Sequence, residues 1–380
     1  MKIVFCHCSI YNPGGMERVL QNKVKWLASH GHEVMVVTTD QDRRPPFYEF
    51  PEGVRLLDLG INYSADNGKP LYRKVVAFLR KRRLHRRRLS DLLKMERPDI
   101  TVSLYPSESS FIPDINDGSK KVLELHFNRF FRLQYGRNGI IGWIDRFRSQ
   151  RDVAIARRFD SFVVLTDEDR SYWGDMDNIS VIPNAAMPLA DVCSDCSAKR
   201  VIAVGRLDYQ KRFDRLIRIW NLVMQDSSLG DWHLDIFGQG EWNEHLNDMI
   251  NKYGLTESVT IHAPVKNIGY EYASSSILVM TSAYEGFPMV MVEAMSLGLP
   301  VVSYDFKCGP RDIIKNGENG ILVNGSDEQK FAKELALLMS DEHNRMKMGM
   351  NARDVKNWLS EDVIMDIWMK LFHNLKERRI

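Results

Sequence analysis

Short runs rich in valine and isoleucine recur along the whole chain, and stretches with a helical spacing of apolar residues separate them. Few of these runs alternate polar with apolar residues, so their strands should be buried on both faces. Strands of this kind form parallel sheets that helices cover. Because the runs fall into two consecutive sets, the sequence predicts an α/β protein with two doubly wound domains.

The chain has 380 residues, which exceeds what one hydrophobic core usually supports and also indicates two domains. Residues 187–197 contain small residues and no helical or strand period, and we interpret them as a linker. This places the predicted domains at 1–186 and 198–361. Residues 362–380 have apolar residues at helical spacing, which predicts a last helix packed against another part of the protein.

Composition narrows the class of protein. Hydrophobic residues make up 44% and charged residues 27%, and no apolar segment is long enough to predict a membrane-spanning helix. The first residues lack the apolar core of a secretory signal, so we expect a cytoplasmic protein. Five cysteines do not make a disulfide framework, and the single pair Cys193 and Cys196 lacks the partners of a metal or redox site.

Adjacent glycines, Gly14 and Gly15, follow the first predicted strand. They let the backbone come close to a ligand, and the helix that follows presents free N–H groups to an anion. The segment lacks the G-x-G-x-x-G spacing of a dinucleotide site. An anion site and an ordinary turn between strand and helix fit it equally well.

In the second set, a predicted strand ends at Gly205, and Arg206 and Lys211 follow before the next helix. Two cations beside a helix start can clamp a diphosphate, although two solvated loop charges would look the same. Gly238 and Gly240 follow another strand of this set. Open α/β sheets bind ligands at the carboxyl ends of their strands, which favours the binding interpretation.

Two carboxylates interrupt one of the most apolar segments, residues 283–300. Pro288 fits the first turn of a helix that ends at Gly298, so Glu285 precedes that helix and Glu293 lies inside it. A buried carboxylate is costly without hydrogen-bond donors. Ligand hydroxyls, an ion pair or a capping role could each supply them.

Together these motifs resemble glycosyltransferase family four, a group of retaining enzymes with the GT-B fold. The matching stretches are GGMER, IPNA, GRLDYQK, EGFPMVMVE and CGPRDIIKNGENGILV, which span nearly the whole chain. The resemblance implies two Rossmann-like domains facing a cleft, with the donor on the second domain and the acceptor on the first. It also implies that the last helix returns to the first domain and that the domains close on the donor.

The resemblance implies roles for individual residues. Glu285 would contact the donor sugar and Glu293 the ribose hydroxyls, while His126 would reach the sugar near its reacting carbon; alone, that histidine would be read as structural. The implied catalytic residues are His126, Glu285, Arg206 and Lys211. The implied donor site comprises Gly14, Gly15, Gly205, Arg206, Lys211, Gly238, Gly240, Ala263, Val265, Glu285, Gly286, Phe287, Pro288, Met289, Val290 and Glu293.

The family is thought to react on one face of the sugar without an obligatory protein nucleophile. Fixed cations and helix N–H groups would stabilise the leaving diphosphate, so we expect no metal and no other cofactor. Asp167 and Asp169 form a D-x-D pattern, which in other glycosyltransferases binds a metal. Their place after Thr166 instead predicts a capped helix start.

A dense basic run lies in a predicted helix over residues 71–95, although the net charge of the chain is only +2. The run comprises Arg80, Lys81, Arg82, Arg83, Arg86, Arg87 and Arg88. A solvated face explains such a run about as well as a binding surface does. No nucleic-acid motif accompanies it, whereas a lipid-linked acceptor on an anionic membrane would need such a surface.

We therefore expect a hexosyltransferase that uses a UDP-sugar and a glycan or polyprenyl-diphosphate-linked acceptor, as in the synthesis of bacterial surface polysaccharide. It would lie in the cytoplasm or on the inner face of the cell membrane. A nucleotide-sugar 2-epimerase of the same fold is one alternative, and an inactive scaffold subunit is another. The sequence does not name the sugar, the linkage or the oligomeric state, and it favours UDP over GDP by resemblance alone.

Overall fold

The computed structural model describes residues 1–66, 68, 70–105, 108–133, 138–187 and 189–377, without the side chains of residues 71 and 140. The chain divides into two compact units, Met1–Pro183 with Ile364–Ile380, and Asn184–Val363. In the described residues each unit contains a parallel sheet with helices in its connections. This is the architecture of two doubly wound domains that the strand pattern predicted.

The sheet of the first unit has the strand order β3-β2-β1-β4-β5-β6-β7, and all neighbouring strands are parallel. Its strands are β1 Lys2–Cys6, β2 Glu33–Thr38, β3 Arg55–Asp58, β4 Ile100–Ser103, β5 Lys120–Glu124, β6 Ser161–Val164 and β7 Ile179–Val181. The helices between them are α1 Gly15–Ser29, α2 Leu71–Glu96, α3 Gly139–Ala156 and α4 Asp167–Ser171. The sequence did not predict β3 or β7, the two short strands at the edges of this sheet.

The sheet of the second unit has the order β10-β9-β8-β11-β12-β13, again parallel throughout. Its strands are β8 Arg200–Val204, β9 His233–Phe237, β10 Val259–His262, β11 Ile277–Met280, β12 Val301–Tyr304 and β13 Gly320–Val323. Its helices are α5 Phe213–Val223, α6 Asn243–Lys252, α7 Ile268–Ala273, α8 Met289–Ser296, α9 Pro310–Ile313, α10 Glu328–Ser340, α11 Glu342–Ala352 and α12 Val355–Trp358. Valine-rich and isoleucine-rich runs predicted all of these strands.

The last helix, α13, spans Glu361–Glu377 and joins the first unit from Ile364 onward. Its Trp368 ring lies 3.8 Å from the ammonium of Lys23 on α1, and Lys376 pairs with Asp99 at 3.0 Å. Residues 378–380 of the predicted helix lie outside the described residues. The first unit is therefore assembled from two separate stretches of chain.

The domain boundary differs from the predicted one. The second unit already begins at Asn184, so the predicted linker 187–197 belongs to it. Ser194 N–H donates to the Leu297 carbonyl at 2.8 Å, and the Cys196 thiol to the Gly298 carbonyl at 3.2 Å. Residues 187–197 have no helix or strand period, yet these bonds hold the segment to the rest of the second unit. Pro188 within the segment lies outside the described residues.

Candidate active site

The loop after β8 begins at Gly205 and is tied through its backbone to the loop after β9. Gly205 N–H donates to the Phe237 carbonyl and Leu207 N–H to the Gln239 carbonyl, both at 3.0 Å. Both loops lie at the carboxyl edge of the sheet, where α/β proteins bind ligands. These bonds fix the loop that carries the predicted cations.

Gly238 and Gly240 permit this close approach of the two loops. A Cβ atom at Gly238 would overlap the Gly205 carbonyl oxygen, and one at Gly240 would overlap the Leu207 carbonyl oxygen. Packing of the loops therefore requires glycine at both positions, whatever else they do. A contact of these glycines with the donor stays a prediction.

Glu285 is the centre of a hydrogen-bonded cluster between the loops after β8 and β11. Its Oε1 lies 2.6 Å from Lys211 Nζ and accepts from Ser282 Oγ at 2.8 Å. Its Oε2 accepts from Gln210 Nε2 at 3.1 Å. The carboxylate is buried, so these donors offset the cost of its desolvation and hold it in one orientation. The structure thus brings together two of the predicted catalytic residues, Lys211 and Glu285.

Arg206 lies at the exposed edge of that cluster, with 71% of its side chain exposed. Its Nε lies 3.4 Å from Asp208 Oδ2, and its guanidinium donates to Gln210 Oε1 at 3.0 Å. An exposed pair of this kind contributes little to stability. The guanidinium can therefore turn towards an anion at small cost.

Helix α8 carries the second carboxylate, Glu293, on an otherwise apolar and buried surface. The predicted helix is present from Met289 to Ser296, with Pro288 as its N-cap residue rather than in its first turn. Tyr272 OH donates to Glu293 Oε2 at 3.4 Å. This bond gives the carboxylate a partner inside the protein, and its predicted contact with ribose hydroxyls stays a prediction.

In the first unit, Gly14 is the N-cap residue of α1, and Gly15 is the first residue of that helix. A Cβ atom at Gly15 would have no neighbour within 4 Å among the described atoms. The fold therefore does not explain this glycine by crowding. Open space at a helix N-terminus is what close approach of an anion needs.

His126 follows β5 and contacts the buried carboxylate of Glu124, which in turn contacts Lys23. Its Nε2 lies 3.1 Å from Glu124 Oε1, which also lies 2.6 Å from Lys23 Nζ. Burial alone would raise the pKa of Glu124, but Lys23 and His126 outweigh it and lower the pKa to about 2. Glu124 is thus an anion at neutral pH.

The remaining predicted donor residues lie at the same edge of the second sheet. Ala263 and Val265 are in an exposed loop directly after β10. Gly286 and Phe287 precede α8, and Val290 lies in its first turn. All of these residues follow strands of the second unit, while Gly14, Gly15 and His126 follow strands of the first.

The basic run on α2 is partly engaged in structure. Lys81 pairs with Asp66 at 2.5 Å, Arg82 donates to Ser110 Oγ at 2.9 Å, and Arg88 donates to a carbonyl before α2. Exposed members of the run are Arg80, Arg83, Arg86, Arg87 and Arg88. Lys81 and Arg82 are thus bonded within the protein, and the acceptor-binding or membrane-binding role of the run stays a prediction.

The D-x-D pattern is the predicted helix cap. Thr166 Oγ1 accepts from Asp169 N–H at 3.0 Å at the start of α4. Asp169 itself accepts from Arg129 N–H at 2.6 Å and from the Trp173 indole at 3.0 Å. Within the described part of the chain, no three His, Cys, Asp or Glu side chains are grouped so that they could hold a metal ion.

Sequence reasoning did not select Gln210, Ser282, Lys23 or Glu124. Gln210 and Ser282 carry no charge, and their loops gave no signal beyond proximity to Lys211 and Glu285. Lys23 lies at a buried position of α1, where a lysine is unusual. Glu124 ends a buried strand, directly after a valine and a leucine. A carboxylate is unusual in such a place, and the sequence could have been searched for it on that ground.

Both halves of the chain match known families. Residues 14–185 match the glycosyl transferase 4-like domain, and residues 195–355 match the glycosyl transferases group 1. The amylovoran biosynthesis glycosyltransferase AmsD of Erwinia amylovora is 28% identical, over 97% of this chain and 98% of that protein. An alpha-1,4-N-acetyl-D-galactosaminyltransferase of Campylobacter jejuni, whose name gives an undecaprenol-PP-linked glycan as its acceptor, is 24% identical over 99% of both chains.

Among solved structures, HepE of Anabaena in complex with UDP and glucose superposes with a TM-score of 0.72. It is 17% identical and covers 98% of this chain and 99% of its own, which supports the fold alone. The two sheets and their order define the GT-B class.

The first part of the chain matches the glycosyl transferase 4-like domain and the second part the glycosyl transferases group 1, and the two matches together cover most of the chain. The chain is therefore a glycosyltransferase, and its bacterial relatives work in polysaccharide and glycoconjugate biosynthesis.

Proposed function

We propose that the chain is a retaining enzyme that transfers a hexose or an N-acetylhexosamine from a UDP-sugar to a glycan or a polyprenyl-diphosphate-linked acceptor. The second unit would bind the donor and the first unit the acceptor. The complex of HepE with UDP and glucose supports a UDP-sugar, and the acceptor in the name of the Campylobacter relative supports a lipid-linked glycan.

The cluster around Glu285 is the observation that carries this proposal. It places a carboxylate, a lysine and the N-terminus of α8 at one edge of the sheet, with the exposed guanidinium of Arg206 nearby. A nucleotide-sugar offers hydroxyls to a carboxylate and a diphosphate to cations and helix N–H groups. The chemistry of the cluster matches both ends of such a donor.

The reaction would break the bond between the anomeric carbon and the diphosphate oxygen. The acceptor hydroxyl oxygen would attack the same face of the sugar, and its proton would pass to the departing phosphate oxygen. Negative charge grows on the diphosphate in the transition state, where Arg206 and Lys211 would stabilise it. We also propose that these cations replace a metal, so that EDTA leaves the rate unchanged.

The first experiment identifies the nucleotide-sugar donor. UDP-sugars and GDP-sugars are screened by thermal shift, and a ligand at 100 times its Kd should stabilise the protein by about 2.7 kcal/mol. A sugar that binds is then tested for transfer, and the anomeric configuration of the product is read by NMR. An epimerised nucleotide-sugar formed without acceptor would support the epimerase, and no binding of any nucleotide-sugar would support the scaffold.

The second test removes one cation. Lys211→Met should lower kcat/KM by about 100-fold or more, the loss expected for one transition-state donor. Lys199→Met is the control, because Lys199 pairs with Asp231 on the surface with both side chains more than half exposed. Equal activity of both variants would exclude the proposed site.

The side chains of helix α3 support binding of the protein to a membrane surface. Over residues 141–152 the buried positions of this helix are polar or small, whereas several exposed positions carry large apolar side chains. The buried residues of this stretch are Gly142, Asp145, Ser149 and Asp152, and its exposed apolar residues are Ile141, Trp143, Ile144 and Phe147. Asp152 accepts from Tyr105 OH and from Arg132 Nε, both at 2.7 Å.

Exposed aromatic residues next to arginines suit the interface of an anionic bilayer. Trp143 and Phe147 stack at 5.9 Å between ring centres, and Arg146, Arg148 and Arg151 follow in the same helix. The first turns of α2 repeat the pattern, with exposed apolar side chains ahead of the basic run. None of the described helices is long and apolar enough to cross a membrane. We propose that both helices lie on the membrane surface.

Liposome sedimentation tests this surface. Reversing Arg83, Arg86 and Arg87 to Glu should weaken binding to phosphatidylglycerol vesicles about 100-fold or more, since each basic residue contributes about 1 kcal/mol near such a surface. The control reverses three exposed lysines of the second unit, Lys330, Lys333 and Lys347, with the same change in charge. Equal binding of the two triple variants would refute the proposal.

A further inference from the structure

Three buried side chains from two elements of the first unit meet beside β5. Lys23 comes from α1, while Glu124 ends β5 and His126 follows it. The side chains of Lys23, Glu124 and His126 are 6%, 1% and 5% exposed, so this is a charged cluster out of contact with solvent. Burying such charges is costly, and the cluster therefore needs a reason beyond stability.

The Glu124 carboxylate joins the cluster through one oxygen. Its Oε1 lies 2.6 Å from Lys23 Nζ and 3.1 Å from His126 Nε2. Its Oε2 has no hydrogen-bond partner among the described residues. On the opposite side of the ammonium lies the Trp368 ring of α13, 3.8 Å from Lys23 Nζ. The lysine is thus held between a carboxylate and an aromatic face.

An ionised carboxylate can only accept hydrogen bonds, so His126 Nε2 must carry a hydrogen to bond with Glu124. In the neutral ring the hydrogen-free nitrogen is then Nδ1, which can accept a hydrogen bond from a hydroxyl.

We infer that Glu124 and Lys23 are positioning residues: Lys23 holds the Glu124 oxygen that fixes His126 in the Nε2–H tautomer, so that Nδ1 accepts a hydrogen bond from a sugar hydroxyl. The contact with sugar rests on the proposed function, whereas the tautomer does not. The contacts that carry the inference are those of Glu124 Oε1 with Lys23 Nζ and with His126 Nε2.

NMR of the histidine-labelled full-length protein tests the tautomer directly. The ¹⁵N shifts of His126, identified by the signal that His126→Asn removes, should show hydrogen on Nε2 and none on Nδ1 at neutral pH. A wild-type spectrum with hydrogen on Nδ1 would overturn the inference.

The role of Lys23 is tested with Lys23→Met, which keeps an unbranched side chain against Trp368. The variant removes the partner that holds Glu124 Oε1, so the ¹⁵N signals of His126 should shift from their wild-type positions. Unchanged His126 signals in a folded Lys23→Met protein would refute this role.

The double variant Lys23→Met with Glu124→Gln removes both charges and serves as the matched control. It should lose the preference for the Nε2–H tautomer, because a glutamine amide can donate as well as accept. Retention of the wild-type tautomer would show that Glu124 does not set it. An enzyme without transfer activity but with these NMR results would refute the proposed function and leave the inference about His126 standing.

Discussion

The variant Gly15→Ala tests whether Gly15 is required for the approach of a ligand or for the fold. A Cβ atom there meets nothing within 4 Å, and the residue is exposed in the first turn of α1. Alanine should therefore stabilise the helix by about 0.4–1 kcal/mol and raise Tm by about 1–4 °C. Gly15 is predicted to lie beside the donor diphosphate, and the added methyl group would occupy the open space at this helix N-terminus.

The size of the catalytic effect follows from that displacement. A methyl group would move a diphosphate by about 1 Å, and a misplacement of this size costs about 100-fold in rate, or about 2.7 kcal/mol of transition-state stabilisation. Gly15→Ala should thus raise Tm while lowering kcat/KM about 100-fold. Thermal unfolding and transfer kinetics with the sugar from the donor screen measure the two effects.

Asn22→Ala is the matched control, because it also favours the helix but lies about two turns further along α1. It should raise Tm without a change in kcat/KM. Full activity of Gly15→Ala would refute the reasoning, since it would show that no ligand approaches this glycine. A fall in Tm would show instead that the glycine has a role in the fold.

Three further outcomes are expected. Gly238→Ala should destabilise the second unit by about 1–3 kcal/mol or more in thermal unfolding, because its Cβ overlaps the Gly205 carbonyl oxygen. The lowered pKa of Glu124, about 2 against an ordinary 4.5, stabilises the protein above pH 4.5, and this stability is lost as the pH falls towards 2. The free energy of unfolding, measured with urea, should therefore fall between pH 4.5 and pH 2. This fall should be larger in the wild type than in the Lys23→Met, Glu124→Gln double variant, by up to about 3 kcal/mol. Trp368→Ala should cost about 3–5 kcal/mol in the same assay, because the side chain is fully buried; an unchanged midpoint would mean that α13 does not stabilise the first unit.

The strands could be predicted where they are buried on both faces. In such strands nearly every position is apolar, and the runs of valine and isoleucine stand out from the helices between them. The edge strand β3 carries Leu56 at 42% exposure and a charged residue at each end, so its composition resembles that of a loop. The domain boundary was misplaced for a related reason, because residues 187–197 pack through backbone bonds that leave no periodic pattern.

The candidate site could be predicted where charge or glycine interrupts an apolar pattern. Glu285 and Lys211 were selected on that ground, and the structure adds that they form an ion pair. Their neutral partners Gln210 and Ser282 could not be found, because ordinary loops contain the same residue types. Contacts between elements distant in sequence, such as Lys23 with Glu124, become visible only when the fold is known.

The place of α13 has a consequence for biosynthesis. The ribosome makes the whole second unit, Asn184–Val363, before the last stretch of the first unit emerges. Until then, the apolar surface that buries Trp368 and Phe372 has no cover. The nascent chain can therefore complete its second unit before its first. Chains that terminate early should keep this apolar surface open and depend on chaperones or proteases for their removal.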